Sequence, residues 1–111
     1  MYALRMKSTE AKRLTQIDKE IESIKAQLQT IRIVRPGSLT KQYRDPDKRR
    51  GGYYQLSYTH RMKSRTAYVR APFLREVRQQ IRSYKRLKKL FERWVALGIG
   101  HSQLSMKSKQ R

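Results

Sequence analysis

The sequence predicts an α+β fold in which two long helices flank a β-hairpin. Three observations support it: a heptad repeat of apolar residues in the first third, two alternating segments in the middle, and apolar residues at helical spacing after Pro72. In chain order we expect a coiled-coil-like helix within 1–34, a basic loop at 35–52, a hairpin-and-helix module at 53–100 and a disordered basic tail at 101–111.

The first helix is predicted from a strict heptad seam, whose apolar residues are spaced alternately by three and four positions. Ser8 is a suitable N-cap and Pro36 ends the helix, which gives a length of about 25 residues. A narrow seam favours self-association, so we expect it to join copies of the chain or to dock on a larger protein. The alternative is packing on the second helix of the same chain. The seam consists of Leu14, Ile17, Ile21, Ile24, Leu28 and Ile31.

The β-hairpin is predicted from the segments 53–59 and 64–70, in which larger or apolar side chains alternate with others. Residues 60–63 lie between them and supply a basic turn. The preceding residues 35–52 hold turn formers and charges without a hydrophobic period, so they are predicted to form a loop.

The second helix is predicted to begin near Pro72, which suits a first turn, and to end at Gly98 and Gly100. Its apolar stripe is formed by Phe73, Val77, Ile81, Tyr84, Leu87, Phe91, Trp94 and Val95. We expect a core in which the hairpin residues Tyr54, Leu56, Ala67 and Val69 pack on Val77, Ile81 and Tyr84.

The charge of the chain predicts a polyanionic partner. The 111 residues include 28 Lys and Arg against 8 Asp and Glu, a net charge of +20. A compact body with this charge repels itself unless a polyanion neutralises it, and nucleic acid is the commonest such partner. Residues 1–34 carry +3, residues 35–70 carry +8 and residues 71–111 carry +9. The binding site is therefore expected after residue 34.

The predicted phosphate contacts are basic residues in the loop, in the hairpin and along one wedge of the second helix. Like charges one helical turn apart destabilise a helix by a few tenths of a kcal/mol per pair, so stability alone does not favour such a row. A merely solvated basic face is the alternative. The set comprises Lys48, Arg49, Arg50, Arg61, Lys63, Arg65, Arg75, Arg78, Arg82, Lys85, Arg86, Lys89 and Arg93.

Three tyrosines, Tyr53, Tyr58 and Tyr68, interleave with the hairpin cations. Bases could stack on such rings. Tyrosines on a short sheet more often belong to the core or form cross-strand pairs, so packing is the favoured interpretation.

Several classes of site are not indicated. The chain has no cysteine for a disulfide or a thiolate zinc site, and His60 and His101 are far apart in sequence. Asp45 and Asp47 could hold a divalent ion, but Asp-Pro-Asp is a common turn. No apolar run approaches the roughly 20 residues that span a bilayer. We expect a cytoplasmic protein, nucleoid-associated if prokaryotic, with no membrane partner, no cofactor and no enzymatic activity.

Three segments carry a resemblance to a known family: Arg35-Pro-Gly-Ser-Leu-Thr-Lys-Gln-Tyr, Gly52-Tyr-Tyr-Gln-Leu-Ser-Tyr-Thr and Lys63-Ser-Arg-Thr-Ala-Tyr-Val. Over residues 32–95 the chain resembles a small uncharacterised domain family of bacteria and archaea, whose members are often encoded near mobile-element genes. Many members carry a Cys-rich insert suggestive of a metal site, where this chain has Arg44-Asp-Pro-Asp-Lys-Arg-Arg. The order of hairpin and helix is also weakly similar to the arm-binding domains of tyrosine integrases.

The sequence therefore predicts a nucleic-acid-binding accessory protein that contacts the phosphate backbone. The weak similarity to integrase arm-binding domains slightly favours DNA over RNA. The resemblances imply a subunit of a mobile-element or defence nucleoprotein complex. A protein-protein interaction subunit, docking through its heptad helix on a larger nucleoprotein, is the alternative.

Overall fold

The α+β class is confirmed by the computed structural model, which describes the backbone of residues 8–109 and the side chains of residues 8–107. The elements are α1 (Ser8–Leu28), β1 (Ser38–Asp45), β2 (Arg50–His60), β3 (Lys63–Val69), a 3-10 turn (Ala71–Phe73) and α2 (Leu74–Lys109). None of the described helices is long and apolar enough to cross a membrane.

The described residues form two compact units. The helical unit contains the residues up to Ile31 and those from Lys88 onward, and the sheet unit is Arg32–Leu87. Helix α2 contributes its first residues to the sheet unit and its remaining residues to the helical unit.

The core of the helical unit is formed by the heptad seam and by the C-terminal part of α2. Ile17, Ile24 and Leu97 are buried at its centre. Ile21, Leu28, Leu90, Trp94 and Leu104 pack around them. The seam thus packs on the second helix of the same chain, which is the alternative considered from the sequence. Assembly of several copies stays a prediction.

Helix α1 ends at Leu28 after 21 residues, whereas about 25 residues were predicted. The amide of Ile31 donates to the carbonyl of Leu28 at 3.1 Å, and the Thr30 hydroxyl donates to the carbonyl of Gln27 at 2.7 Å. These bonds satisfy carbonyl groups at the helix end and allow the chain to leave the helix well before Pro36.

Helix α2 is longer than predicted. It continues through Gly98 and Gly100 to Lys109, so the predicted disordered tail from His101 is wrong for residues 101–109; residues 110 and 111 lie outside the described part. A glycine inside a helix costs about 1 kcal/mol relative to alanine. Leu104 packs on the core of the helical unit, and this burial offsets the low helix propensity of the glycines.

The sheet has three antiparallel strands in the order β1-β2-β3, whereas a two-stranded hairpin was predicted. The hairpin of β2 and β3 is confirmed, and β1 lies within 35–52, where the sequence predicted only a loop. Leu39 pairs with Leu56, which pairs with Ala67, so one apolar row crosses all three strands. The loop prediction failed because Leu39 is one of few apolar residues in a strand otherwise rich in charged and polar side chains.

The core of the sheet unit joins the inner face of the sheet to the start of α2. Leu56, Val69 and Ile81 are buried at its centre. Leu39, Tyr54, Tyr58, Leu74 and Val77 pack around them. The predicted packing of the hairpin on Val77 and Ile81 is confirmed, while Ala67 and Tyr84 are partly buried outside this cluster.

Positive φ angles at Gly37 and in the hairpin turn shape the sheet unit. Gly37 has φ +137°, and a Cβ atom there would lie 2.7 Å from Leu56 Cδ1 and 2.9 Å from the Ser57 carbonyl oxygen. Only glycine fits this approach of the chain to the sheet. In the hairpin turn, Arg61 and Met62 both have positive φ, 52° and 66°, as a type I′ turn requires.

Candidate nucleic-acid interface

The positive charge is concentrated in the sheet unit. Residues 32–87 include 16 Lys and Arg and 3 Asp and Glu, a net charge of +13 out of the +20 of the whole chain. Ion pairs are found in the other unit, where Glu22, Glu20 and Glu10 contact Lys25, Arg93 and Lys107. Carboxylates of the helical unit therefore neutralise several of its cations. The sheet unit has 3 acidic residues for 16 basic ones, so most of its cations cannot be neutralised in this way.

The loop and hairpin cations of the predicted set lie at the two ends of the sheet. Lys48 and Arg49 belong to the turn between β1 and β2, and Arg61 belongs to the turn between β2 and β3. The loop and hairpin cations are Lys48, Arg49, Arg50, Arg61, Lys63 and Arg65. All six are exposed, and none of them forms an ion pair with another described residue.

The helix cations of the predicted set are divided between the two units. Arg75, Arg78, Arg82, Lys85 and Arg86 belong to the sheet unit and are exposed, whereas Lys89 and Arg93 belong to the helical unit. Arg93 Nη2 lies 2.7 Å from Glu20 Oε2 in an ion pair. The sheet unit therefore contains eleven of the thirteen predicted cations.

Arg78 and Lys41 contact the same aromatic ring. The Arg78 guanidinium carbon lies 5.2 Å from the centroid of the Tyr54 ring, and Lys41 Nζ lies 6.0 Å from it. Lys41 Nζ is also 5.5 Å from the Tyr43 ring centroid. These contacts hold two cations near one ring by cation-π attraction and place Lys41 beside the predicted set.

Lys41 and Arg35 were not among the residues predicted from the sequence. Arg35 is partly buried, its guanidinium carbon lies 4.9 Å from the Tyr58 ring centroid, and its amide donates to the Gln80 carbonyl at 3.1 Å. The alternation of Leu39, Lys41 and Tyr43 is the sequence signal that could have identified Lys41, had β1 been recognised as a strand.

The three tyrosines considered for base stacking lie on different faces of the sheet. Tyr58 packs against the core of the sheet unit and contacts Arg35, so its environment is structural. Tyr53 and Tyr68 lie on the opposite face, with ring centroids 5.9 Å apart and planes tilted by 56°. Tyr68 is 61% exposed. The favoured interpretation, cross-strand and core packing, accounts for all three rings.

The face of the sheet that points away from its core, here called the outer face, carries ten neutral polar side chains between residues 38 and 68 and, near the end of β1, Arg44. Strand pairing aligns them in rows: Ser38 with Ser57 and Thr66, and Thr40 with Gln55 and Tyr68. Thr59 and Ser64 are paired, with their hydroxyl oxygens 3.1 Å apart. The ten residues are Ser38, Thr40, Gln42, Tyr53, Gln55, Ser57, Thr59, Ser64, Thr66 and Tyr68.

Asp45 has a role in the turn between β1 and β2. Its Oδ1 atom accepts a hydrogen bond of 3.4 Å from the backbone amide of Lys48. The side chain of an Asp commonly bonds to backbone groups in this way at the start of a turn. Within the described residues, no three His, Cys, Asp or Glu side chains come together as a metal site would require.

A serine, a histidine and an aspartate come together in the helical unit, and no pattern in the sequence indicates this cluster. Ser105 Oγ lies 3.4 Å from His101 Nδ1, and His101 Nε2 lies 3.6 Å from Asp18 Oδ1. Both distances exceed those of well-formed hydrogen bonds. His101 and Ser105 both lie inside α2, where backbone amides are bonded within the helix. These amides are not placed to form the oxyanion site that acyl transfer needs.

The chain was compared with protein-family models, with curated proteins and with solved structures, and none of them matched.

Proposed function

We propose that the chain is a nucleic-acid-binding accessory protein whose sheet unit holds the phosphate backbone of DNA. The cations at the two ends of the sheet and along the first turns of α2 contact phosphate oxygens. Arginine and lysine side chains bind phosphates through charge-assisted hydrogen bonds, and the release of counterions from the nucleic acid contributes to the affinity.

The observation that carries this proposal is a group of exposed cations, at one end of the sheet, that have no anionic partner among the described residues. Arg61, Lys63 and Arg65 are exposed and form no ion pair with a described residue, although they lie close together in sequence at one end of the sheet. Such cations repel one another unless anions come from outside the protein. A polyanion supplies several anions at regular spacing.

The resemblance to domains encoded near mobile elements agrees with this function, and it supports a subunit of a mobile-element or defence nucleoprotein complex. Docking on a larger protein through the heptad seam is less well supported, because Ile17 and Ile24 are buried within the helical unit of the same chain.

The test is the affinity of the full chain for a duplex DNA probe, measured by fluorescence anisotropy. In one variant, Arg61, Lys63 and Arg65 are changed to Gln. In a matched control, the exposed α1 residues Lys12, Arg13 and Lys19 are changed to Gln. Both variants lose three positive charges, so they differ only in where the charge is removed.

We expect the hairpin variant to bind at least tenfold more weakly than the unmodified chain and the α1 variant to bind with nearly unchanged affinity. A phosphate contact contributes to the affinity for any sequence and to its salt dependence. Equal losses in the two variants would contradict a site in the sheet unit. Failure of the unmodified chain to bind DNA or RNA at physiological salt would contradict the function itself.

A further inference from the structure

We infer that the outer face of the sheet contacts base edges in the major groove of duplex DNA and gives the chain a base preference. This inference rests on the proposed function and adds sequence recognition to it. The phosphate contacts position the protein, and the neutral outer face carries the specificity.

The composition of the outer face distinguishes it from the rest of the sheet unit. Ten of its eleven side chains are Ser, Thr, Gln or Tyr, in a unit with a net charge of +13, and the exception is Arg44 near the end of β1. A surface that contacts phosphates is rich in Lys and Arg, and the core of a protein-protein interface is enriched in aromatic residues, Met and Arg and depleted in Ser. Base edges present donors, acceptors and the thymine methyl group, which hydroxyl and amide side chains complement.

The central side chains of this face are available to an external partner. Gln55, Ser57 and Thr66 make no side-chain hydrogen bond to another described residue. Ser57 and Thr66 are directly paired across β2 and β3, and Gln55 lies two residues from Ser57 on the same face. Their donors and acceptors therefore form one contiguous patch.

The size of the sheet fits the major groove of B-form DNA. Adjacent strands lie about 4.8 Å apart, so the axes of the two edge strands are roughly 10 Å apart. The major groove is about 12 Å wide, whereas the major groove of A-form RNA is too narrow for side chains to reach the bases. The strand spacing thus favours duplex DNA over duplex RNA.

The aromatic residues of the outer face favour a duplex over a single strand. Proteins that bind single strands stack successive bases on exposed aromatic rings. Here only Tyr53 and Tyr68 of the ten residues are aromatic, and their rings contact each other with centroids 5.9 Å apart. The remaining eight side chains offer hydrogen bonds and no stacking surface.

The cations at the ends of the strands surround this neutral face. Arg61 lies in the turn at one end, and Lys48 and Arg49 lie in the turn at the other end. Arg70 directly follows β3, which runs from the Arg61 end toward the Lys48 end. The neutral centre can therefore face the bases while the cations beyond the strand ends reach backbone phosphates.

The test is selection of duplex DNA by the full chain from a pool with a randomised central segment, followed by sequencing. We expect a motif to be enriched. Gln forms paired hydrogen bonds with adenine, so at least one adenine in the motif should lose its enrichment in the Gln55→Ala variant. Thr66→Val, which keeps the shape of the side chain, and Ser57→Ala serve as further variants. Gln103→Ala, at an exposed position of α2 in the helical unit, is the matched control.

For the enriched duplex, we expect Gln55→Ala and Thr66→Val to lower the affinity about tenfold, and Gln103→Ala to leave it unchanged. Affinity for unrelated duplexes should stay the same in all variants, because the phosphate contacts are intact. Binding of the pool without enrichment would overturn the inference and leave the proposed function standing. Enrichment from a single-stranded RNA pool alone, or a motif retained by every outer-face variant, would also overturn it. No binding to any pool would overturn the proposed function.

Discussion

Arg93 Nη2 lies 2.7 Å from Oε2 of Glu20, so the last cation of the predicted helical stripe already has a carboxylate partner. Arg75, the first cation of that stripe, belongs to the sheet unit and forms no ion pair with a described residue. The sequence pattern assigns both arginines to the same basic stripe. In the structure, Arg93 has a carboxylate partner, and Arg75 has none among the described residues.

We therefore expect Arg75→Gln to weaken duplex DNA binding more than Arg93→Gln, although both remove one positive charge. Loss of a phosphate contact should also reduce the slope of log affinity against log salt by about 1. Anisotropy titrations at several salt concentrations measure both quantities. A larger loss for Arg93→Gln would show that the ion pair with Glu20 does not keep Arg93 from the nucleic acid.

Ile17→Ala is expected to destabilise the helical unit by about 2 to 5 kcal/mol, because Ile17 is 0% exposed and a cavity would form at the centre of the core. The matched control is Ile99→Ala. Ile99 lies on α2 in the same unit but is 55% exposed, so its change should stay within about 0.5 kcal/mol. Urea unfolding measures both. A large cost for Ile99→Ala would indicate that another chain covers Ile99.

Met62→Gly is expected to stabilise the hairpin by about 1 kcal/mol. Met62 has φ 66°, which strains an L-residue with a side chain, and its side chain is 98% exposed, so few contacts are lost. Arg65→Gly, in the adjacent strand, should instead destabilise by about 0.5 to 1 kcal/mol. Thermal unfolding measures the stability of both variants. A loss of stability in Met62→Gly similar to that in Arg65→Gly would contradict the turn geometry.

Gly37→Ala and Gly98→Ala are expected to have opposite effects. At Gly37 a Cβ atom would meet Leu56 Cδ1 at 2.7 Å in a backbone with φ +137°, so we expect a loss of roughly 1 to 3 kcal/mol. At Gly98, inside α2, an added Cβ meets nothing within 4 Å, and higher helix propensity should add up to about 1 kcal/mol. Circular dichroism melts of both variants test the pair. A gain from Gly37→Ala would contradict the described approach to the sheet.

The sequence predicted the elements that have a strong period. The seam around Ile17 and Ile24, the hairpin around Leu56 and Val69, and the helix around Ile81 are all present, because each buries apolar side chains at regular spacing. What the sequence left open was the partner of the seam. Both a second copy and the same chain can supply apolar residues, and Leu97 of the same chain does.

Strand β1 and the end of α2 were missed for a different reason. In β1, Lys41 stands at a position where an alternating pattern would have an apolar residue. Its side chain makes cation-π contacts there with the rings of Tyr43 and Tyr54. In α2, Gly98 and Gly100 have the propensity of a helix end, but packing of Leu104 on the helical core prevails. In both places a tertiary contact outweighs the local signal.

The candidate site could be predicted in part. The distribution of charge along the sequence predicted a binding site after residue 34, and eleven of the thirteen predicted cations lie in the sheet unit. The outer face could not be identified, because its rows depend on the pairing of β1 with β2: Thr40 lies beside Gln55 only once that register is known. Hydroxyl and amide residues carry no charge pattern that would distinguish them from an ordinary polar surface.

The most direct test of the account is the dependence of duplex DNA affinity on salt, measured for the full chain between about 50 and 200 mM. If about six phosphates are neutralised, log affinity should fall against log salt with a slope of roughly −5. Changing Arg61, Lys63 and Arg65 to Gln should make that slope less steep by about 3. An affinity that does not change with salt, or a slope that this variant leaves unaltered, would contradict phosphate binding by the sheet unit.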